Sequence, residues 1–225
     1  DAILGLKPEE KDAYFLRGSA ELELGDYESA KADFDQAISM DPKNYDRLIE
    51  IYEALAAHGY REVGQEYLQN VLDTAKQLDA YDSGRIYYYL GEYQKAYLAL
   101  DEARDKGGAD SYLYLGRAYA ATGDYNYASS VYNNYLSKQG PNAEIYNELG
   151  LCEMAKKEYQ NALAAFQAGK QIEGNSLMQT LCFNEIVAYE YLEDYQQAEV
   201  LMNAYLQNYP DDQTAIREQQ FLSTR

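Results

Sequence analysis

One short pattern recurs along this chain at nearly constant spacing and dictates a repeat architecture. A turn, an acidic residue and a tyrosine follow one another as Gly25-Asp26-Tyr27, Gly91-Glu92-Tyr93, Gly123-Asp124-Tyr125, Lys157-Glu158-Tyr159 and Glu193-Asp194-Tyr195. Three residues after each tyrosine stands an alanine: Ala30, Ala96, Ala128, Ala162 and Ala198. A degenerate copy fits between the first two, with Gly59 at the turn and Gly64 in place of the alanine, so successive turns lie 34, 32, 32, 34 and 36 residues apart. A period of this size marks stacked supersecondary units that bury one continuous core between neighbours. Within each unit, apolar residues fall at helical spacing before the turn (Tyr112, Leu115, Tyr119) and again after it (Ala30, Phe34, Ala37), and no period-2 run competes. The glycine suits the left-handed end of one helix, and the acidic residue suits the start of the next. The pattern predicts an all-α chain.

The units resemble the tetratricopeptide repeat, whose signature is aromatic-x₂-Leu-Gly-x₂-Tyr, then Ala-x₃-Phe, then Pro. Residues Tyr112, Leu115, Gly116, Tyr119, Ala128 and Tyr132 match it most fully; Tyr14, Gly18, Ala30, Phe34 and Pro42, and Tyr146, Leu149, Gly150, Ala162 and Phe166, match it well. The resemblance implies a right-handed α-α superhelical solenoid of six helix pairs, at 11–44, 45–76, 77–108, 109–142, 143–176 and 179–212. Residues 1–10, with Ile3, Leu4, Leu6 and Pro8, read as the tail of a truncated preceding repeat, and 213–225 as a C-terminal capping helix with Asp212 at its N-cap. Gly18, Gly116 and Gly150 belong where paired helices approach most closely. Tyr52 and Ile186 at the same place predict locally wider pairs.

Charge narrows the range of partners. With 38 acidic and 19 basic residues the net charge is −19, the wrong sign for a nucleic-acid backbone or an anionic membrane surface. No apolar run is long enough to span a bilayer, so no direct membrane insertion is expected. The lone His58 has no nucleophile constellation around it, and neither a phosphate-cradling loop nor a metal-ligand cluster appears, so the expectation is no enzyme, no metal and no cofactor. Cys152 and Cys182 fall at the tenth and fourth places of neighbouring first helices. An axial offset of about 9 Å and a lateral one of about 8–10 Å keep them beyond the roughly 7 Å a disulfide tolerates. Two free, mostly buried thiols are expected. The sequence leaves the compartment open: cytoplasm, or cell envelope if an upstream export or lipoprotein signal was removed.

The resemblance also implies that first helices line a concave groove that takes peptide segments of partner proteins. Residues 81–135 hold 13 of the 26 tyrosines, yet carry a charge of −2 and leave −17 to the rest of the chain. That stretch, with Arg85 and Arg117 at the same place of adjacent units, has the composition of a binding surface: tyrosine offers stiff contact area with a polar tip, and arginine forked donors. The candidate peptide-binding residues are Tyr81, Arg85, Tyr88, Tyr89, Tyr114, Arg117, Asn147 and Asn184. Their bland alternative is structural, with Arg85 and Arg117 paired to Asp82, Asp110 or Glu148. The Lys/Asn/Asn/Lys/Arg set with which some relatives clamp the carboxylate of chaperone tails is not supplied here. The expected function is a non-enzymatic scaffold for an extended segment of an unidentified protein or peptide partner. The alternative is a structural spacer or self-assembling module.

Overall fold

The computed structural model describes residues 10–225. The expected tail of a preceding repeat therefore lies, apart from Glu10, outside the described residues. The described residues form thirteen α-helices and no strand: α1 (Lys11–Glu23), α2 (Tyr27–Met40), α3 (Tyr45–Ala57), α4 (Arg61–Thr74), α5 (Ala80–Tyr89), α6 (Tyr93–Asp105), α7 (Ser111–Ala121), α8 (Tyr125–Gln139), α9 (Ala143–Ala155), α10 (Tyr159–Lys170), α11 (Met178–Tyr191), α12 (Tyr195–Asn208) and α13 (Gln213–Leu222). They group into two compact units, Asp1–Ala96 and Tyr97–Arg225.

The recurrent turn works as its chemistry requires. Gly25 adopts φ 78° and Gly123 φ 83°. The amide three residues beyond the last helical residue reaches back to an orphan carbonyl, as Asp26 does to Glu21 at 2.8 Å and Asp124 to Tyr119 at 3.1 Å. Lys157 and Glu193 hold the same left-handed place without being glycine, at φ 64° and 60°. Asp26, Asp124 and Asp194 then cap the next helix by accepting from the amides of Ser29, Tyr127 and Gln197. Asn44, Asp79 and Asn142 do the same for first helices. Glu158 makes no such bond.

In the first unit, Leu22, Ala30, Phe34, Ile51 and Leu55 make one buried cluster and Leu48, Ile49, Tyr52, Leu68 and Ile86 a second. In the second unit the core runs from Ala128, Tyr132, Ile145 and Leu149 through Ala162, Phe166 and Leu181 to Ile186, Met202, Ala215 and Leu222. Small and large residues face one another across several helix pairs. A Cβ on Gly18 would sit 2.8 Å from the Phe34 ring, on Gly116 2.3 Å from Tyr132, and on Gly150 2.3 Å from Phe166. Tyr52, where bulk predicts a wider pair, is accommodated from the facing helix, because Gly64 approaches its ring so closely that a Cβ would lie 2.9 Å away. Ile186 faces Met202 and Ala198 in one buried cluster. Cys152 is buried, Cys182 half-buried, and both are free thiols.

Candidate functional site

In the first unit the candidate residues lie on α5. Arg85 is only 6% exposed, a position an unpaired charge could not hold, since desolvating it costs several kcal/mol. Two carboxylates make it tenable: Asp46 from α3 and Asp82 from its own helix each accept from one guanidinium nitrogen at 2.5 Å. Burial alone would lower the Arg85 pKa, but these two hydrogen bonds outweigh it and hold it above the ordinary value. The guanidinium carbon also lies 4.4 Å from the centre of the Tyr81 ring. One turn on, Tyr88 and Tyr89 meet edge to face at 5.2 Å, Tyr89 packs on Tyr52, and its hydroxyl donates to Glu53 Oε1 at 2.6 Å.

The second unit repeats the theme with other residues. Arg117 on α7 donates to Glu148 Oε1 at 2.7 Å and Glu144 Oε1 at 3.0 Å, both on α9, and lies 5.6 Å over the Tyr114 ring. Here too burial is the largest influence and pulls the pKa down, but the charge and hydrogen bond of Glu148 together with the charge of Glu144 outweigh it and hold the guanidinium above its ordinary value. Asp82 for Arg85 and Glu148 for Arg117 are two of the pairings named above as the structural alternative. Asn147 on α9 is buried, and its Oδ1 accepts from Nδ2 of Asn184 on α11 at 2.9 Å. Tyr114 and Arg117 thus form one group and Asn147 and Asn184 another, while Tyr81, Arg85, Tyr88 and Tyr89 belong to the first unit.

The Tetratricopeptide repeat profile matches residues 11–44 in one form and residues 81–128 and 115–175 in another, together more than half the chain. The chain belongs to the tetratricopeptide repeat family. Solved structures of tetratricopeptide repeat proteins share its all-α superhelical repeat fold. PilW, a type IV pilus biogenesis factor, is 18% identical with a TM-score of 0.63, over 94% of this chain and 97% of its own. PilF of Pseudomonas aeruginosa is 18% identical with a TM-score of 0.53, over 96% and 97%. YrrB, described as a tetratricopeptide repeat protein with an unusual peptide-binding site, is 18% identical with a TM-score of 0.55, over 83% and 97%. No curated protein sequence matches the chain.

Tetratricopeptide repeats generally mediate protein–protein interaction and are typically non-enzymatic scaffolds. Among the described residues no group of three or more His, Cys, Asp or Glu is placed to hold a metal ion, and no helix is long and apolar enough to cross a membrane. His58, at the end of α3, turns Nδ1 to the carbonyl of Ala54 at 2.9 Å and Nε2 towards Glu23 at 3.4 Å, a terminus contact.

Two features escaped the repeat register. Arg47, at a place not assigned to the groove, lies 4.1 Å over the Phe15 ring and reaches Asp12 at 2.9 Å and Glu50 at 3.0 Å. Phe183 and Asn184 share a cavity of about 280 Å³ with Tyr205 and Asp212, which come from a second helix and a cap. First-helix spacing alone could not have associated them.

Proposed function

We propose that this tetratricopeptide repeat protein binds an extended segment of a partner protein along the groove faces of its first helices. Tyr81, Tyr88 and Tyr89 make the contact surface in the first unit, and Tyr114, Asn147 and Asn184 that in the second. The carrying observation is the fixed state of these side chains: Arg85 is clamped by Asp46 and Asp82, Arg117 by Glu144 and Glu148, and Asn184 by Asn147. Side chains ordered beforehand lose little freedom on association. Arg85 and Arg117 set the shape of the face and hold the rings above which they lie; tyrosine and asparagine meet the ligand. The peptide-binding site described for YrrB supports this by analogy of fold.

The test is selection of displayed random peptides on the immobilised protein, followed by anisotropy titrations of the selected peptides. Tyr81→Ala with Tyr89→Ala, and Asn147→Ala, are the informative variants, because reversing an arginine would set it against its own carboxylates. Selected peptides that bind every variant as they bind the parent would refute groove binding at these residues. A second function, self-assembly, is favoured by Leu16 and Leu24, which are 63% and 84% exposed. Light scattering that shows no growth in mass with concentration removes it.

A further inference from the structure

Among the described residues a guanidinium repeatedly rests over an aromatic ring and between two carboxylates, as Arg17 does over Tyr14 with Asp33 and Glu21. Arg47 has Phe15 with Asp12 and Glu50; Arg85 has Tyr81 with Asp46 and Asp82; Arg117 has Tyr114 with Glu144 and Glu148. Ring quadrupole and carboxylate act together on a cation in such a place. Phe15 and Tyr81 occupy the fifth place of their repeats, and Phe183 occupies that place in 179–212. At Phe183 the chain supplies no arginine. The space there is the cavity of about 280 Å³, and none of its lining residues is basic.

The cavity has the remaining elements of the pattern. The Phe183 and Tyr205 rings lie 5.8 Å apart, and the Tyr205 hydroxyl donates to Asp212 Oδ2 at 2.6 Å. Asp212 is held below the usual carboxylate range by that hydroxyl first and by the Ala215 and Thr214 amides, so it is anionic at neutral pH. The exposed Gln179 sends Nε2 to Tyr205 Oη at 3.1 Å and to Asp212 Oδ2 at 3.5 Å. A neutral amide donor thus stands where the N–H groups of a cation would point. Asn184, on the face assigned above to the partner, also lines the cavity.

We infer that the cavity between α11, α12 and α13 receives a cationic side chain, arginine or lysine, of the bound segment, with Phe183 and Tyr205 against its stem and face and Asp212 as its counter-charge. This rests on the peptide-binding role proposed above and adds the chemistry of one contact. The net charge of −19 favours the same class of partner through long-range attraction.

The probe is a fluorescein-labelled Gly-Ser peptide with arginine at every third residue, compared by anisotropy with the same peptide carrying citrulline, which keeps the shape and removes the charge. The arginine peptide is expected to bind about tenfold or more tightly than the citrulline peptide. Asp212→Asn, which retains an N-cap acceptor, and Phe183→Leu each reduce that ratio severalfold. Asp211→Asn, the same loss of charge one residue away, leaves it unchanged, and circular dichroism confirms that the helices persist. A ratio near one in the parent protein overturns the inference, as does an equal fall in Asp211→Asn and Asp212→Asn. Selected peptides that depend on Tyr81, Tyr89 or Asn147 without discriminating arginine from citrulline would sink this contact alone. Selected peptides indifferent to those residues would sink the groove itself.

Discussion

Replacing Glu190 by glutamine should make the protein more stable above neutral pH and leave it unchanged in mild acid. Glu190 stands in the last turn of α11, half-buried, with Oε1 shielded from solvent and without a hydrogen-bond partner. Burial first, then the charge of Glu218 on α13, push its pKa from 4.5 to about 7. Between those two values the folded protein keeps a proton that the unfolded chain releases, so stability falls as pH rises from about 4.5 through 7 and is flat beyond. At 1.36 kcal/mol per pH unit the ceiling is about 3.4 kcal/mol. Water screening at a half-exposed position reduces it to about 1–2 kcal/mol, or some 2–8 °C in melting temperature for a chain of this length. Melts of parent and Glu190→Gln at pH 4 and pH 8, with hydrogen exchange on the amides of α13, read the effect. The variant should gain at pH 8, with slower exchange in α13, and match the parent at pH 4. An equal difference at both pH values, or a less stable variant at pH 8, would refute the coupling between Glu190 and α13.

Other perturbations follow from the packing. Gly116→Ala drives a methyl group to 2.3 Å from the Tyr132 ring and should cost about 1–3 kcal/mol in urea unfolding; adding Tyr132→Leu should restore part of it. Lys157→Gly relieves a left-handed backbone at φ 64° and should stabilise by about 0.5–1 kcal/mol, since the native strain exceeds the entropy glycine brings to the unfolded chain. Cys152 is buried, and its thiol is pushed up to about 12 chiefly by desolvation. A maleimide should therefore label Cys182 faster than Cys152 in the native protein and both alike in urea, while reductant leaves the melting temperature unchanged.

The repeat was legible because its signals are local. A left-handed turn and an aspartate cap are written in adjacent residues, and the structure uses Gly25-Asp26 and Gly123-Asp124 as their chemistry suggests. Partner choice was less legible. The spacing offered Arg117 both Asp110 and Glu148 as partners, and only the relative placement of α7 and α9 decides for Glu148 together with Glu144. Asp46, 39 residues from Arg85, is a partner that depends on helix register and rotamer together. Tyrosine excess was ambiguous for a further reason: much of it serves ring-on-ring packing, as in Tyr97 with Tyr119 at 4.5 Å and Tyr27 with Tyr60 at 4.1 Å. A stacked ring and a ligand platform have the same composition.

The exchange of bulk across helix pairs has a consequence for how such a chain can change. Gly116 opposite Tyr132 and Gly150 opposite Phe166 are one solution, and Tyr52 against Gly64 another. Passing from one to the other by single substitutions requires an intermediate that is either crowded or hollow, and each such state costs a few kcal/mol. The heritable part of this protein is therefore the helix pair. A transplanted single helix would arrive with a groove or a ridge that its new neighbour does not match, whereas a transplanted pair carries its own fit.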